Sequence, residues 1–260
     1  MDRKVVVITG ASSGIGAALA VLLGGQGRQT VLAARREKEL SEVAARAGSG
    51  AIVAPADVTQ RADVLRVRDL ALEAFGRVDV WVNNAGRGIT RPVLELTEDD
   101  VDQIIAVNLK SALYGMQAIV PYFKQQGRGH LINVSSFLGR VPMVSVRSVY
   151  SAAKAALNVL TANLRMDLRA GYPDIHVSLV MPGVVLTDFG KNALGALQQR
   201  PTAAGGAANG QTAEEVAAVI ASLIENPKSE IYTNPASAEI ARRYREDVDA
   251  FEMNLMKGHR

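Results

Sequence analysis

Seven short apolar runs recur along the chain, at 5–9, 30–35, 51–57, 78–83, 130–135, 176–181 and 230–233. They are rich in Val and Ile and nearly continuous in hydrophobicity, the pattern of strands buried on both faces. Between them, apolar positions return at helical spacing over about 14–25, 37–47, 60–75, 98–126, 149–170 and 213–225. Two helix starts carry capping-box residues, Thr97 with Asp100 and Thr212 with Glu215. Regular alternation of this kind predicts right-handed βαβ units and an α/β, doubly wound parallel sheet of about seven strands flanked by helices. No long linker and no internal repeat interrupts it, so a single domain over 1–260 is expected.

Two segments depart from the rhythm. Residues 190–211 hold Gly195, Pro201, Gly205, Gly206 and Gly210 among many alanines, with little periodicity. A stretch this long inside a compact domain reads as a lid over a site, or else as a surface insertion. From 236 to 260 the chain reads as a C-terminal helical extension, with Ile240, Tyr244, Val248, Phe251 and Leu255 on one face. That face is expected to pack on the body or on a neighbouring subunit.

Composition narrows the chemistry. A chain of 260 residues, 48% hydrophobic and 21% charged, can bury a substantial core. With no cysteine, thiolate nucleophiles, disulfides and thiolate metal sites are excluded. The three histidines, His130, His176 and His259, are too scattered to suggest a metal site or a Ser-His-Asp triad. The net charge is +3, with acidic and basic residues interleaved, which gives no sign of nucleic-acid binding. The first residues run straight into the apolar segment at 5–9, leaving no room for a signal peptide, and no stretch of about 18 apolar residues suggests a membrane span. A cytoplasmic location is the expectation.

After the first strand comes Thr9-Gly10-Ala11-Ser12-Ser13-Gly14-Ile15-Gly16, leading into a helix. Glycines let the backbone turn sharply and approach a pyrophosphate, and the free N–H groups at the helix start bind the anion. A tight structural connection is the plainer reading of the same turn. At the end of the second strand, where an acid would bind the ribose hydroxyls of NAD, stand Arg35 and Arg36. Guanidinium groups suit a 2′-phosphate, so NADP(H) is expected and NAD(H) is the alternative; two solvated arginines are the bland reading. Tyr150 and Lys154 lie at i and i+4 on one helix face. Six tyrosines and eight lysines would give about 0.2 such pairs by chance. An ammonium about 4 Å from a phenol, at an effective dielectric of about 20, supplies roughly the 4 kcal/mol needed to lower the phenol pKa by about three units. The pair could then act as general acid and base between an alcohol and a ketone. Ser135 and Ser136 end the fifth strand, at the sheet edge where such folds bind ligands.

Taken in order, these motifs resemble the short-chain dehydrogenase/reductase family over about residues 4–235. The resemblance implies a Rossmann-type fold and assigns Gly10, Ser12, Ser13, Gly14, Ile15 and Gly16 to the cofactor turn. It puts Asp57 and Val58 near adenine. It likewise places Asn84, Ala85 and Gly86 of Asn83-Asn84-Ala85-Gly86 along the cofactor, and Pro182, Gly183, Val185 and Thr187 on the nicotinamide side. It makes Ser136, Tyr150 and Lys154 catalytic, with Tyr150 and Lys154 also touching the cofactor, and Asn108 the residue that holds a water in a proton relay. Ser136 lies one residue further from Tyr150 than is usual in the family, which leaves Ser135 as an alternative. Ser13 stands where many NADP-preferring members carry a base, so the NADP expectation rests mainly on Arg35.

The implied reaction is hydride transfer between the nicotinamide and a carbonyl or alcohol carbon, with Tyr150 as general acid/base. Phe137, Leu138, Met143, Val184 and Phe189 are the expected substrate neighbours, and their apolar character suits a lipophilic small molecule. Arg87, Arg91, Arg140, Arg147 and Lys191 could rim the entrance and attract an acidic group, or simply be solvated. No metal is expected, and a homodimer or homotetramer is. A catalytically silent dinucleotide-binding scaffold or sensor is the competing function.

Overall fold

The computed structural model describes residues 4–195 and 210–257. Seven strands, β1 (Val5–Thr9), β2 (Gln29–Ala34), β3 (Ala51–Pro55), β4 (Val80–Asn83), β5 (Gly129–Val134), β6 (Ile175–Met181) and β7 (Glu230–Tyr232), form one parallel sheet in the order β3-β2-β1-β4-β5-β6-β7. The strand residues are Val/Ile-rich because both faces are covered; every residue of β1 is buried. On one face pack α1 (Gly14–Gly25), α2 (Glu37–Ala47) and α7 (Ala213–Glu225), sharing a core of Ile8, Leu19, Leu32, Leu40, Val82 and Ile220. On the other pack α3 (Arg61–Phe75), α5 (Ser111–Gln126) and α6 (Ser148–Arg169), around Val7, Trp81, Ile119, Phe123, Leu131 and Leu157.

Strand order reverses between β1 and β4, so the connections leaving these strands diverge to opposite faces and open a crevice at their carboxyl ends. Register brings the chemistry to that edge. Ile8 pairs with Val82 and Asn83 with Asn133, so Thr9, Asn83 and Asn133 stand side by side.

Two expected helices divide. The helix expected over 98–126 is α4 (Glu98–Ile105), a π-helical segment (Ala106–Lys110) and α5 in succession. The whole of Glu98–Gln126 is long and apolar enough to cross a membrane by composition, against the expectation that no such stretch exists, but half of its most apolar window is buried against the sheet. The tail is two helices, α8 (Ala236–Glu246) and α9 (Val248–Lys257). The chain turns extended at Asp247, whose carboxylate accepts the Ala250 N–H at 2.9 Å. The break takes Val248 off the apolar face and into solvent, while Ile240, Tyr244, Phe251 and Leu255 remain on it. Both expected capping boxes form, at Thr97 with Asp100 and at Thr212 with Glu215.

Candidate active site

The β1–α1 turn is shaped for close approach. Gly10 and Gly14 have φ of +67° and +55°, which favour glycine, and a Cβ on Gly16 would lie 2.5 Å from the Gly10 carbonyl oxygen. Asn84 ties the turn to β4: its Nδ2 donates to the carbonyls of Thr9 (2.9 Å) and Gly10 (3.3 Å). The Thr9 hydroxyl accepts from the N–H groups of Asn84 and Ala85 at 3.0 and 3.2 Å. At the start of α1, the Ser13 side chain makes no capping bond and the first turn holds no acid. Free helix N–H groups above a bare glycine backbone fit the pyrophosphate of a dinucleotide.

Arg36 closes this cradle, its Nη2 donating to the hydroxyls of Ser12 (3.1 Å) and Ser13 (2.8 Å). Arg35, which carried more weight in the sequence, is exposed and makes no side-chain bond among the described residues. Strand geometry explains the exchange: β2 stops at Ala34, and Arg36, as the residue capping α2, turns back toward α1. Ile15 packs on the core behind the turn, and Gly14 faces Thr187, whose methyl would lie 3.4 Å from an added Cβ. Past β3, the Asp57 carboxylate accepts from the Thr59 N–H (3.0 Å) and hydroxyl (2.8 Å), and Val58 is buried. After β6, buried Pro182 accepts from the Phe137 N–H at 2.8 Å, Gly183 lies near Asn234, and Val185 bridges to Gln211.

Tyr150 and Lys154 share one face of α6, both nearly fully buried. Ser136 faces the phenol closely enough to favour its anion, whereas the Ser135 hydroxyl donates to Asn158 Oδ1 (2.6 Å) and the Lys154 carbonyl (3.2 Å). Ser135 is therefore committed to holding α6 against β5, and Ser136 is the hydroxyl that faces Tyr150. Asn108 sits in the π-helical segment, a distortion that frequently marks functional positions. Its amide donates to the Arg87 carbonyl (2.8 Å) and accepts the Arg87 N–H (3.2 Å), which holds the loop after Gly86. A Cβ on Gly86 would lie 2.9 Å from Asn108 Oδ1 and 3.6 Å from Lys154 Nζ, so both groups converge on that glycine.

The electrostatics differ from expectation. Lys154 Nζ donates to the Val134 carbonyl (3.0 Å) and lies 5.9 Å from the Tyr150 ring centroid, over its face. Burial lowers the Lys154 pKa to about 8. Tyr150 is pushed above the ordinary phenol value by burial, opposed by Ser136 and by the charge of Arg147. In the free protein the groups that oppose this burial are Ser136 and Arg147 rather than the expected Lys154, whose ammonium is held by the Val134 carbonyl.

The expected substrate neighbours separate. Phe189 packs its ring on Tyr150, T-shaped at 5.6 Å, and Leu138 packs with Tyr150 and Ile89. Val184 is 63% exposed at the mouth. Phe137 and Met143 instead join Tyr232, Ile240 and Phe251 beneath α8 and α9, with Phe137 and Tyr232 in edge contact at 5.9 Å. Of the expected lid, 196–209 lie outside the described residues. Its ends are tied down: Leu194 exchanges backbone bonds with Gly88 and Thr90, and Gln211 with Val184 and Leu186.

A buried polar ladder runs through the sheet beneath the site. Trp81 Nε1 donates to Asn83 Oδ1 (2.8 Å), Asn83 Nδ2 to Asn133 Oδ1 (2.9 Å), and Asn133 Nδ2 to the Thr161 hydroxyl (2.9 Å). Gly115 makes room for it, since a Cβ there would lie 2.1 Å from Asn83 Oδ1. Among the described residues, no cluster of His, Asp and Glu could hold a metal ion.

A seven-stranded parallel sheet with a glycine cradle at its switch point and a Ser, Tyr and Lys group beside it defines a dinucleotide-binding oxidoreductase class. Comparison with known proteins gives the family. The short chain dehydrogenase model matches residues 4–197, and the chain belongs to that family. An uncharacterized oxidoreductase of Staphylococcus epidermidis is 37% identical over 198 residues, covering 74% of this chain and 84% of that protein. A short-chain dehydrogenase/reductase from Burkholderia phymatum, solved with NAD, is 31% identical, with TM-score 0.85 over 96% of this chain and 95% of its own. An alcohol dehydrogenase from the archaeon Thermococcus sibiricus, solved with 5-hydroxy-NADP, is 28% identical, with TM-score 0.76 over 89% and 96%. The chain is thus a short-chain dehydrogenase/reductase-family oxidoreductase that takes a nicotinamide dinucleotide.

Proposed function

We propose that the protein interconverts a carbonyl and an alcohol on a lipophilic small molecule, with NADP(H) as the preferred cofactor. The observation that carries this reading is the meeting of Ser136, Tyr150, Lys154 and the Asn108-held loop at Gly86, at the same sheet edge as the uncapped start of α1. Ser12, Ser13, Gly14 and Gly16 would hold the pyrophosphate, and Arg36, with no acid at the end of β2, would meet a 2′-phosphate. Bound there, the nicotinamide supplies or accepts the hydride.

Tyr150 holds the proton that moves to or from the substrate oxygen, and burial keeps that phenol protonated at neutral pH in the free protein. Ser136 donates to the same oxygen as its charge grows. Lys154 is largely cationic at neutral pH despite burial, and it stabilises negative charge on the phenol as the proton leaves. Phe189 and Leu138 exclude water from the phenol. Exposed Val159 and Met166 on α6 support assembly as a homodimer or homotetramer, which light scattering reads directly; a cytoplasmic location belongs to the same proposal.

The test is fluorescence titration with NADPH and NADH, then a 340 nm screen of lipophilic ketones and alcohols. NADPH is expected to bind more tightly. Tyr150→Phe is expected to bind cofactor normally and lose at least about 100-fold in turnover. NADH preference would remove the Arg36 assignment. Cofactor binding without turnover of any carbonyl or alcohol would favour the silent scaffold.

A further inference from the structure

Of the five cations expected at the rim of the cleft, four are held by a carboxylate or by two side-chain hydrogen bonds. Arg91 Nε lies 3.0 Å from Asp100 Oδ2, and Lys191 Nζ lies 2.6 Å from Asp188 Oδ1. Arg140 pairs with Glu230 at 2.7 Å. Arg87 donates to the Asn192 carbonyl at 3.0 Å and to Gln103 Oε1 at 3.4 Å. Arg147 differs. Its Nη1 donates to the Ile89 carbonyl at 3.0 Å, and no carboxylate among the described residues lies within ion-pair distance. The Nε and Nη2 side of its fork has no protein acceptor among those residues.

Its place in the fold makes that charge unfavourable for stability alone. Arg147 is the residue before α6, at the positive end of a 22-residue helix, and it is partly buried. Burial pulls its pKa below the ordinary guanidinium value, while its charge acts on the Tyr150 phenol one turn along. Two loops are bare of side chains where the guanidinium lies. A Cβ on Gly88 would be 2.9 Å from Arg147 Nη1 and 2.9 Å from Phe189 Cε1, and one on Gly190 would be 3.9 Å from Arg147 Nη2. The guanidinium, the Phe189 ring and the phenol are therefore neighbours, and the guanidinium stands at a helix start, where an anion is favoured.

We propose that Arg147 is a specificity-determining residue whose guanidinium binds a carboxylate of the substrate, so that the substrate is an oxo or hydroxy acid with its apolar body against Phe189 and Leu138. A planar carboxylate matches the open side of the fork through paired charge-assisted hydrogen bonds. This assignment rests on the oxidoreductase reading and names the substrate class for the same site.

The experiment pairs 3-hydroxybutyrate, 4-oxopentanoate and 5-oxohexanoate each with its methyl ester. Equilibrium binding is measured on protein saturated with NADPH or NADP, and kcat/KM wherever turnover occurs. In the wild type at least one acid is expected to bind about tenfold or more tightly than its ester, the range of a hydrogen bond to a charged group. Arg147→Met is expected to bring that ratio close to one, and Arg147→Lys to keep part of it. Circular dichroism checks the variants; if Arg147→Met does not fold, the wild-type ratio and Arg147→Lys decide. Equal binding of acid and ester across the panel in the wild type overturns the assignment. So does an equal loss for acids and esters in Arg147→Met, which would leave Arg147 acting on the phenol alone. Tyr150→Phe separates the two readings: turnover that survives it defeats the proton-donor reading, while the acid-to-ester binding ratio still reports on Arg147.

Discussion

At Lys154 the proposed role in the reaction is set against stability. Its ammonium is 3% exposed, bonded to the Val134 carbonyl, and its pKa is lowered to about 8. A folded-state pKa below the unfolded value means that the unfolded chain binds the proton more strongly. The charged lysine therefore opposes folding at neutral pH, and that opposition fades as pH rises through 8 toward 10.5. Lys154→Met is accordingly expected to raise the thermal midpoint at pH 7 by several degrees, roughly, while losing turnover. A lower midpoint in calorimetry would show that the lysine contributes more to packing than its charge removes. At this scale the candidate residues were legible in the sequence, Tyr150 with Lys154 and the glycines of the turn from their spacing and Ser136 from the family resemblance. What each was paired with was not. Ser135 and Ser136 are indistinguishable as a dipeptide, and only the alternation of side chains at the end of β5 sends one to Asn158 and the other to the phenol. Arg35 and Arg36 exchange roles for a similar reason, since the last residue of β2 decides which turns toward Ser12.

Among the elements, β5 and β6 hold a titrating device at the end of the sheet away from the site. His130 and His176 pair across the register, in edge contact at 5.9 Å, and His130 Nε2 lies 2.8 Å from the Ser178 hydroxyl. Ser178 donates its own proton to the Lys228 carbonyl at 2.6 Å, so Nε2 of His130 carries the hydrogen and Nδ1 is left without a partner. Burial, with the charges of His176 and Lys4, lowers the His130 pKa from 6.5 to about 3. The unfolded chain takes up that proton first, so the stability is present above pH 6.5 and lost as pH falls toward 3. Thermal midpoints measured between pH 7 and 4 are expected to fall, and to fall less steeply in His130→Gln. An identical slope in the variant would place the acid sensitivity elsewhere. Strands and capped helices were the most legible elements, because two-sided burial and capping boxes are written in local sequence. The break between α8 and α9 was not, because a continuous apolar stripe from Ile240 to Leu255 fits one helix as well as two. Asp247 ends the first by capping the second.

In the whole molecule, the tail stabilises the wall of the site from behind. Phe251 and Ala241 pack with Phe137 and Val141, and Phe137 directly follows Ser136. Phe251→Ala is expected to destabilise the protein by about 3 kcal/mol, read from denaturant unfolding, and to reduce turnover because the Ser136 loop loses its support. Full activity with reduced stability would confine the tail to packing. The hydrophobic period along the chain determined by itself that this is a parallel α/β sheet, since strands buried on both faces and helices buried on one leave local, repeating signatures. It also determined the family, since the cofactor turn and the Tyr-Lys pair lie within single segments. The tertiary structure alone decided which cations meet at the phenol, that Gly115 yields space to the Asn83–Asn133 ladder, and that Phe137 faces the tail. Those outcomes depend on strand register and on loops from distant parts of the chain arriving at one place, and no local pattern encodes a distance between segments that are far apart in sequence.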